Sequence, residues 1–245
     1  MTSPIYAIGD IHGHLDKLET ALALVEADGG VNAHIVFLGD YVDRGPDSSG
    51  VIERLSAGLD AGRNWTCLLG NHDRMMRMFL GDPPRSDPQL LIGLDWFHEI
   101  LGGRNTLASY GITLTDGSRV YQVHHEARAR IPEHHIRFLD GLHTSFETPD
   151  LFFAHAGIEP GVPLDAQTED TLTWIRKPFH DFRGEHPKLI VHGHTPVRQA
   201  MHYGNRINLD SGAGHGRRLT AARFDGTTCH VLTETGPQLL SPKIG

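Results

Sequence analysis

Asp10 and His12 stand two residues apart in Gly9-Asp10-Ile11-His12-Gly13, directly after a short apolar run. The same juxtaposition recurs along the chain. Asp40 follows His34-Ile35-Val36-Phe37-Leu38-Gly39, Asn71 and His72 follow the run 65–69, His155 follows Leu151-Phe152-Phe153-Ala154, and His192 and His194 follow Lys188-Leu189-Ile190-Val191. Carboxylate oxygen, imidazole nitrogen and amide oxygen together suit a borderline divalent cation such as Mn, Fe or Zn, rather than Ca or a thiolate-bound ion. One carboxylate shared between two ligand sets can bridge two cations about 3.5–4 Å apart, an arrangement that hydrolyses phosphate esters. The chain's 18 histidines raise the same metal hypothesis without saying which of them bind. At this level His192 and His194 compete, because either can point inward from its strand.

Such donors act together only if the fold gathers them. The run 34–39 reads as a buried strand that stops at Gly39-Asp40 and is followed by Asp43, Arg44, Gly45 and Pro46. In an open α/β sheet, charges at a strand's carboxyl end lie in the ligand-binding crevice. Pro4 to Ile8 and Trp65 to Leu69 read as two more strands, and the ends of all the core strands are expected to converge at one sheet. Leu15, Leu18, Leu22 and Val25 share one face of a helix stopped by Gly29-Gly30, and Val51, Ile52 and Leu55 mark a second helix over about 48–59. This β-loop-α alternation predicts an α/β sheet with right-handed crossovers. Arg74 to Leu80 reads as a Met-rich helix, 82–88 as a loop, 119–124 as a weak edge strand and 132–142 as a helix. Short strands are expected at 206–210, 219–224 and 228–232, the last two joined by the hairpin signal Asp225-Gly226. No linker composition appears, so residues 1–245 are expected to form a single domain in which 74–145 is a helical and loop insert shaping a groove.

Composition narrows the partners. A formal net charge of −8 argues against a sequence-independent nucleic-acid binder, which needs a basic face to neutralise phosphates. No apolar run approaches the roughly 18 residues that span a bilayer, so no membrane partner is expected. The start Met1-Thr2-Ser3-Pro4-Ile5-Tyr6 lacks a signal-peptide pattern, and two cysteines make no disulfide framework; a cytoplasmic monomer is the expectation.

Gly9-Asp10-Ile11-His12-Gly13, Gly39-Asp40-Tyr41-Val42-Asp43-Arg44-Gly45 and Gly70-Asn71-His72-Asp73 resemble the three signature motifs of PPP-type phosphoprotein phosphatases, within the calcineurin-like metallophosphoesterases. His155-Ala156-Gly157 and Gly193-His194-Thr195-Pro196 resemble the later metal motifs, and Asp210-Ser211-Gly212-Ala213 is similar to a strand end of the bacterial and phage members. Each motif is weak alone, but together they run in the family's order over nearly the whole chain. The resemblance implies a layered fold with a central mixed β-sandwich flanked by helices. It implies two divalent metal ions, Mn2+ first with Fe or Zn admissible: Asp10 and His12 on one, Asn71, His155 and His194 on the other, and Asp40 bridging. It further implies His72 as general acid oriented by Asp43, with Arg44 and Arg176 holding phosphate oxygens. It favours His194 over His192, and makes Asp73 a support for the turn.

The implied activity is hydrolysis of phosphoserine and phosphothreonine, in phosphoproteins or phosphopeptides, and of small phosphomonoesters. A symmetrical bis(5'-nucleosyl)-tetraphosphate hydrolase is the alternative, opposed by Asp43, and a catalytically dead scaffold is the third reading, opposed by the complete motif set. The sequence departs from the family in two places. Pro196 stands where many calcineurin-like enzymes have a second His, and Gly212-Ala213-Gly214-His215-Gly216 stands near the place of a Tyr-containing loop; His215 is expected to line the groove. The remaining histidines are expected to be ordinary surface or core residues.

Overall fold

A computed structural model describes residues 3–115 and 117–243. The chain begins β1 (Ile5–Ile8), α1 (Leu15–Gly29), β2 (His34–Phe37), α2 (Ser48–Asp60), β3 (Trp65–Cys67) and α3 (Asn71–Leu80). A helical stretch follows, α4 (Gly103–Ser109), α5 (Val120–Arg130) and α6 (Glu133–Asp140). Then come β4 (Ser145–Glu147), β5 (Leu151–Ala154), α7 (Glu169–Trp174), α8 (Lys177–Asp181), β6 (Leu189–His192), β7 (Met201–His202), β8 (Arg206–Asn208), β9 (Ala221–Asp225), β10 (Thr228–Val231) and β11 (Gln238–Leu239). The elements build two mixed sheets flanked by helices.

The first sheet has six strands in the order β11-β10-β9-β1-β2-β3, and the second has five in the order β4-β5-β6-β8-β7. β1, β2 and β3 run parallel with α1 and α2 as crossovers, while β9 joins β1 antiparallel and pairs with β10 through the expected hairpin. In the second sheet β5, β6 and β8 are parallel, with β4 and β7 antiparallel at the edges. These two sheets are the mixed β-sandwich flanked by helices that the resemblance implied, and the donor-bearing strand ends are divided between them, not gathered on one sheet as the strand pattern alone suggested.

The period-two alternation of side chains decides what each face buries. In β2, Val36 points into the layer between the sheets while Ile35 and Phe37 face α1 and α2. In β5, Leu151 and Phe153 face that same layer, whereas Phe152 and Ala154 pack towards α7 and α8. Phe153 and Phe224 meet edge to face across the gap, their ring centroids 5.9 Å apart. Each fully buried side chain of this size contributes about 1.5–3 kcal/mol of hydrophobic stabilisation. This core clamps the sheets so that the carboxyl ends of β1, β2, β3, β5 and β6 open on one edge.

Residues 119–124 are not an edge strand. They start α5, because Val123 and Ala127, four apart, bury against the helical layer while Val120 and Tyr121 are exposed. A weak alternation over a few residues cannot be told from one turn of helix until the partner surface is present. The helix at α6 and the loop at 82–88 match their sequence expectations. Among the described residues no helix is long and apolar enough to cross a membrane.

Candidate active site

The local backbone announces the site before any side chain does. Among the described residues, the non-glycine residues with positive φ are His12, Asp40, Asp43, Arg44 and His194, at 50°, 54°, 73°, 65° and 66°. Left-handed conformations cost an L-residue free energy and persist only where the surroundings impose them, typically at functional sites. The turns are held by their neighbours. Asp40 O accepts from Ile11 N at 3.1 Å and from His12 N at 2.8 Å, zipping the loop after β1 onto the loop after β2. Asp73 does what the motif reading assigned to it, its carboxylate accepting from Gly70 N, Asp40 N and Tyr41 N at 2.9, 2.7 and 2.8 Å.

Asn71 and His72 occupy the first turn of α3, where backbone N–H groups lack intrahelical partners. His72 N donates to Asp40 Oδ1 at 3.0 Å, so the helix end faces this carboxylate. The second sheet reaches across: His194 N donates to Asp10 Oδ2 at 2.9 Å, and Gly193 N to His155 O at 2.8 Å. A Cβ on Gly193 would collide with Asp10 Oδ1, which explains the glycine there.

The side-chain donors converge. His12 Nε2 lies 3.4 Å from Asp40 Oδ2, and His155 Nε2 3.4 Å from Asp40 Oδ1. Asn71 Oδ1 lies 3.0 Å from His155 Nε2 and 2.8 Å from His194 Nδ1. His12 Nδ1 sits 2.9 Å from Val42 O and His155 Nδ1 sits 2.8 Å from Leu38 O. A carbonyl cannot donate, so each Nδ1 carries the proton and each neutral Nε2 presents a lone pair. At His155 that lone pair faces two oxygen acceptors, and Asp10 Oδ1 is buried without a hydrogen-bond partner. Acceptors aimed at one another in a buried place need a cation between them. The set therefore fits divalent metal ions, and backbone-anchored imidazoles are the usual supporting arrangement. His12–Asp40–His72 and Asp10–Asp40–His155 each bring their donor atoms within 4.8 Å of one another.

Electrostatics follow from burial. Asp10 is pushed well above the usual carboxylate range by desolvation, then by the charges of Asp210 and Asp40. Burial works in the same direction on Asp40, but the positive charge that His155, His72, His12 and His194 bring whenever they are protonated outweighs it, so Asp40 stays charged, below that range. Burial, then the Arg44 charge, lowers His12; burial, then His155 and Arg176, lowers His194; burial lowers His155. Neutral imidazoles are the form that ligates metal.

Beside this cluster lies an acid–base pair. His72 Nδ1 meets Asp43 Oδ2 at 2.6 Å, and Asp43 is completely buried. Trp96 Nε1 donates to both oxygens of Asp43, at 3.1 and 2.9 Å, and Thr106 Oγ1 donates to Oδ1 at 2.6 Å. Arg44 spans the opening, with Nη1 2.8 Å from His12 Nε2 and Nη2 3.1 Å from His72 Nε2. Arg176 is exposed on the opposite wall, and its Nε donates to His194 Nε2 at 3.0 Å.

Asp10, His12, Asp40, Asp43, Arg44, Asn71, His72, His155, Arg176 and His194 thus all meet at one edge of the sandwich. His192, the competitor, does not: its Nδ1 lies 3.0 Å from Gly193 O and its Nε2 3.2 Å from Arg206 Nη1, on the far side of β6. His215 is exposed in the turn whose Gly214 packs so closely that a Cβ would lie 2.5 Å from His12 Cδ2. Sequence reasoning missed Trp96 and Thr106. Both lie in the irregular insert, and neither residue type signals a carboxylate clamp. Asp87, in the 82–88 loop, is a second omission. It accepts Trp174 Nε1 at 3.1 Å and pairs with Arg74 Nε at 3.2 Å, fixing the helix that leads to Arg176.

The family profile of calcineurin-like phosphoesterases matches residues 3–210, and the chain belongs to that family of hydrolases. Its relatives give a finer likeness. The chain is 27% identical to the asymmetrical bis(5'-nucleosyl)-tetraphosphatase PrpE of Anoxybacillus flavithermus, with 89% of each chain covered. It is 29% identical to the PrpE of Geobacillus thermodenitrificans, with 95% of each covered. A crystal structure described as a candidate diadenosine tetraphosphatase superposes with a TM-score of 0.65 at 25% identity, covering 97% of this chain and 95% of the other. A cold-active protein tyrosine phosphatase of a psychrophilic Shewanella shares the fold, with a TM-score of 0.62 at 18% identity over 98% of this chain and 81% of that one.

Proposed function

We propose that the chain is a two-metal phosphohydrolase that cleaves a dinucleoside tetraphosphate asymmetrically. One observation carries the catalytic part: buried, mutually facing acceptors from β1, β2, β3, β5 and β6 converge around Asp40. The names of the relatives support the substrate part. They are named neither as phosphoprotein phosphatases nor as symmetrical hydrolases, so the reaction proposed here differs from the first sequence expectation in its substrate and from the alternative only in which phosphoanhydride bond is cleaved.

In this reading Asp10 and His12 hold one cation, Asn71, His155 and His194 hold the other, and Asp40 lies between, with Mn2+ the proposed native ion. When bound, such a pair neutralises phosphate charge and activates water near neutral pH. The chain's own groups do the rest. Arg44 and Arg176, on facing walls, hold non-bridging oxygens through charge-assisted hydrogen bonds. His72, fixed through Nδ1 by Asp43, presents Nε2 to the leaving oxygen and delivers its proton. Positioning and charge neutralisation are the main demands of phosphoryl transfer, and these residues meet both. His215 lines the approach.

The Asp43–His72 pair favours a second reading, phosphomonoester hydrolysis with an alkoxide leaving group, which needs a proton more than a phosphate leaving group does. The test is a paired assay on Mn2+-loaded protein, with diadenosine tetraphosphate against phosphoserine and phosphothreonine peptides. The expected result is faster turnover of the dinucleotide, giving ATP and AMP. Two molecules of ADP would replace the asymmetrical reading with the symmetrical one, and faster peptide turnover would restore the phosphatase.

A further inference from the structure

Away from the cleft, Glu53 of α2 meets two consecutive residues of α6, His134 and His135. Both Nε2 atoms point at the same carboxylate oxygen, Glu53 Oε2, from 2.7 and 2.8 Å. Consecutive helix residues point about 100° apart and do not ordinarily share a partner. Here the two rings turn edge to face, with centroids 4.4 Å apart, and all three donor atoms lie within 4.8 Å of one another. Nothing in the proposed reaction uses these residues.

The inner ring is held from behind. His135 is buried, and its Nδ1 lies 2.8 Å from the hydroxyl of Tyr110, the residue that closes α4. A tyrosine hydroxyl can donate or accept, so His135 has two satisfied arrangements. In one, Nε2–H donates to Glu53 and Tyr110 O–H donates to Nδ1. In the other, Nδ1–H donates to the Tyr110 oxygen and the Nε2 lone pair is free for a cation. The second arrangement is the usual support of a metal-bound histidine. The outer side is open, with the side chains of Glu53 and His134 57% and 37% exposed. A surface cavity of about 390 Å³, lined by Asp60, Arg137 and His143 among others, adjoins His134. Water can therefore complete the coordination shell.

We propose that Glu53, His134 and His135 bind one divalent transition-metal cation of the zinc class, with Tyr110 as the supporting hydrogen-bond partner. Two imidazoles and one carboxylate suit Zn2+ with water in the fourth position. The cation fastens α6 to α2. The first residue of α2, Ser48, accepts from Asp43 N at 3.1 Å through its hydroxyl, so the brace bears on the helix that carries the Asp43 turn.

The experiment uses the full chain, stripped with chelator and titrated with Zn2+, then with Co2+ as a spectroscopic probe. Metal per chain is measured after gel filtration for wild type, Glu53→Gln and His134→Ala. Glu53→Gln keeps the shape and an acceptor for both imidazoles but is a poor cation ligand, so it separates a metal site from a hydrogen-bonded trio. Wild type is expected to hold one ion per chain more than either variant. It should also show a Zn2+-dependent rise in unfolding midpoint that both variants lose. Tyr110→Phe should weaken Zn2+ binding about 10–100-fold without changing the count. Only the difference between proteins is read, so it does not depend on how many ions the cleft holds or on the proposed function. Equal metal content in wild type and Glu53→Gln overturns the proposal.

Discussion

Replacing Trp96 with Phe removes the indole N–H that donates to both oxygens of the Asp43 carboxylate while keeping an aromatic ring against Phe79, 5.1 Å away between centroids. Asp43 is fully buried and keeps only Thr106 Oγ1, its own backbone N–H contacts aside, and His72 as side-chain donors. A hydrogen bond to a buried charged group contributes about 1.5–3 kcal/mol. If His72 delivers a proton under Asp43's control, kcat should fall about 10–100-fold, since each 1.36 kcal/mol is a factor of ten. Loss of the acid itself, in His72→Asn, sets the ceiling at about 10²–10⁴. The informative assay is kcat on Mn2+-loaded enzyme over a series of aryl phosphates of graded leaving-group acidity, with diadenosine tetraphosphate alongside. The loss should be largest for the least acidic leaving group and shrink towards the most acidic one, with KM and metal content unchanged. A uniform loss across the series would reduce Trp96 to a packing role and remove the argument that Asp43 acts through His72.

Three further outcomes are expected. Asp40→Asn should lower the content of both cleft ions, measured by elemental analysis after gel filtration; retention of two ions would show that Asp40 does not lie between them. Asp87→Ala removes the fully buried carboxylate paired with Arg74, a change that typically costs about 3–5 kcal/mol. Because Arg74 keeps Glu169 and Asp170, the lower end is expected in urea unfolding, and a change under 1 kcal/mol would refute the account. His180 is held down to about 4 from 6.5 by burial, then by Arg206 and Arg176, against the opposing charge of Asp181. Its unfolded form takes up a proton first as the medium is acidified, so this contribution to stability is present above pH 6.5 and lost as pH falls towards 4. The unfolding midpoint of His180→Gln should therefore decline less than that of wild type over this window, and parallel declines would exclude His180 as a contributor.

The motif-bearing half of the site was legible because local rules act there. An apolar run that ends in Gly-Asp or Gly-Asn-His reads as a strand delivering donors to a sheet edge, and Asp10, His12, Asp40, His155 and His194 do follow strand ends while Asn71 opens the helix after β3. The order of β1, α1, β2, α2 and β3 followed from periodicity for the same reason. Arg176 was reachable only through resemblance, since a lone arginine after Trp174 has no local signature.

The motif resemblance implied a sandwich, but which strands fall in which sheet was beyond the local pattern, because alternation says that a strand has two buried faces but not whose side chains meet them. Val36 and Phe153 read alike as core residues; only packing shows that they line one layer from opposite sheets. The same holds for His192 and His194, where the turn after β6 and the positive φ of His194 decide which ring enters the cleft. Trp96 and Thr106 reach Asp43 across 53 and 63 residues of chain, and Glu53 reaches His134 across 81. The sequence by itself determined which chemistry the strand ends carry. The tertiary structure decided which distant residues hold that chemistry in place, because a buried carboxylate takes its donors from whatever the fold brings near, not from its neighbours along the chain.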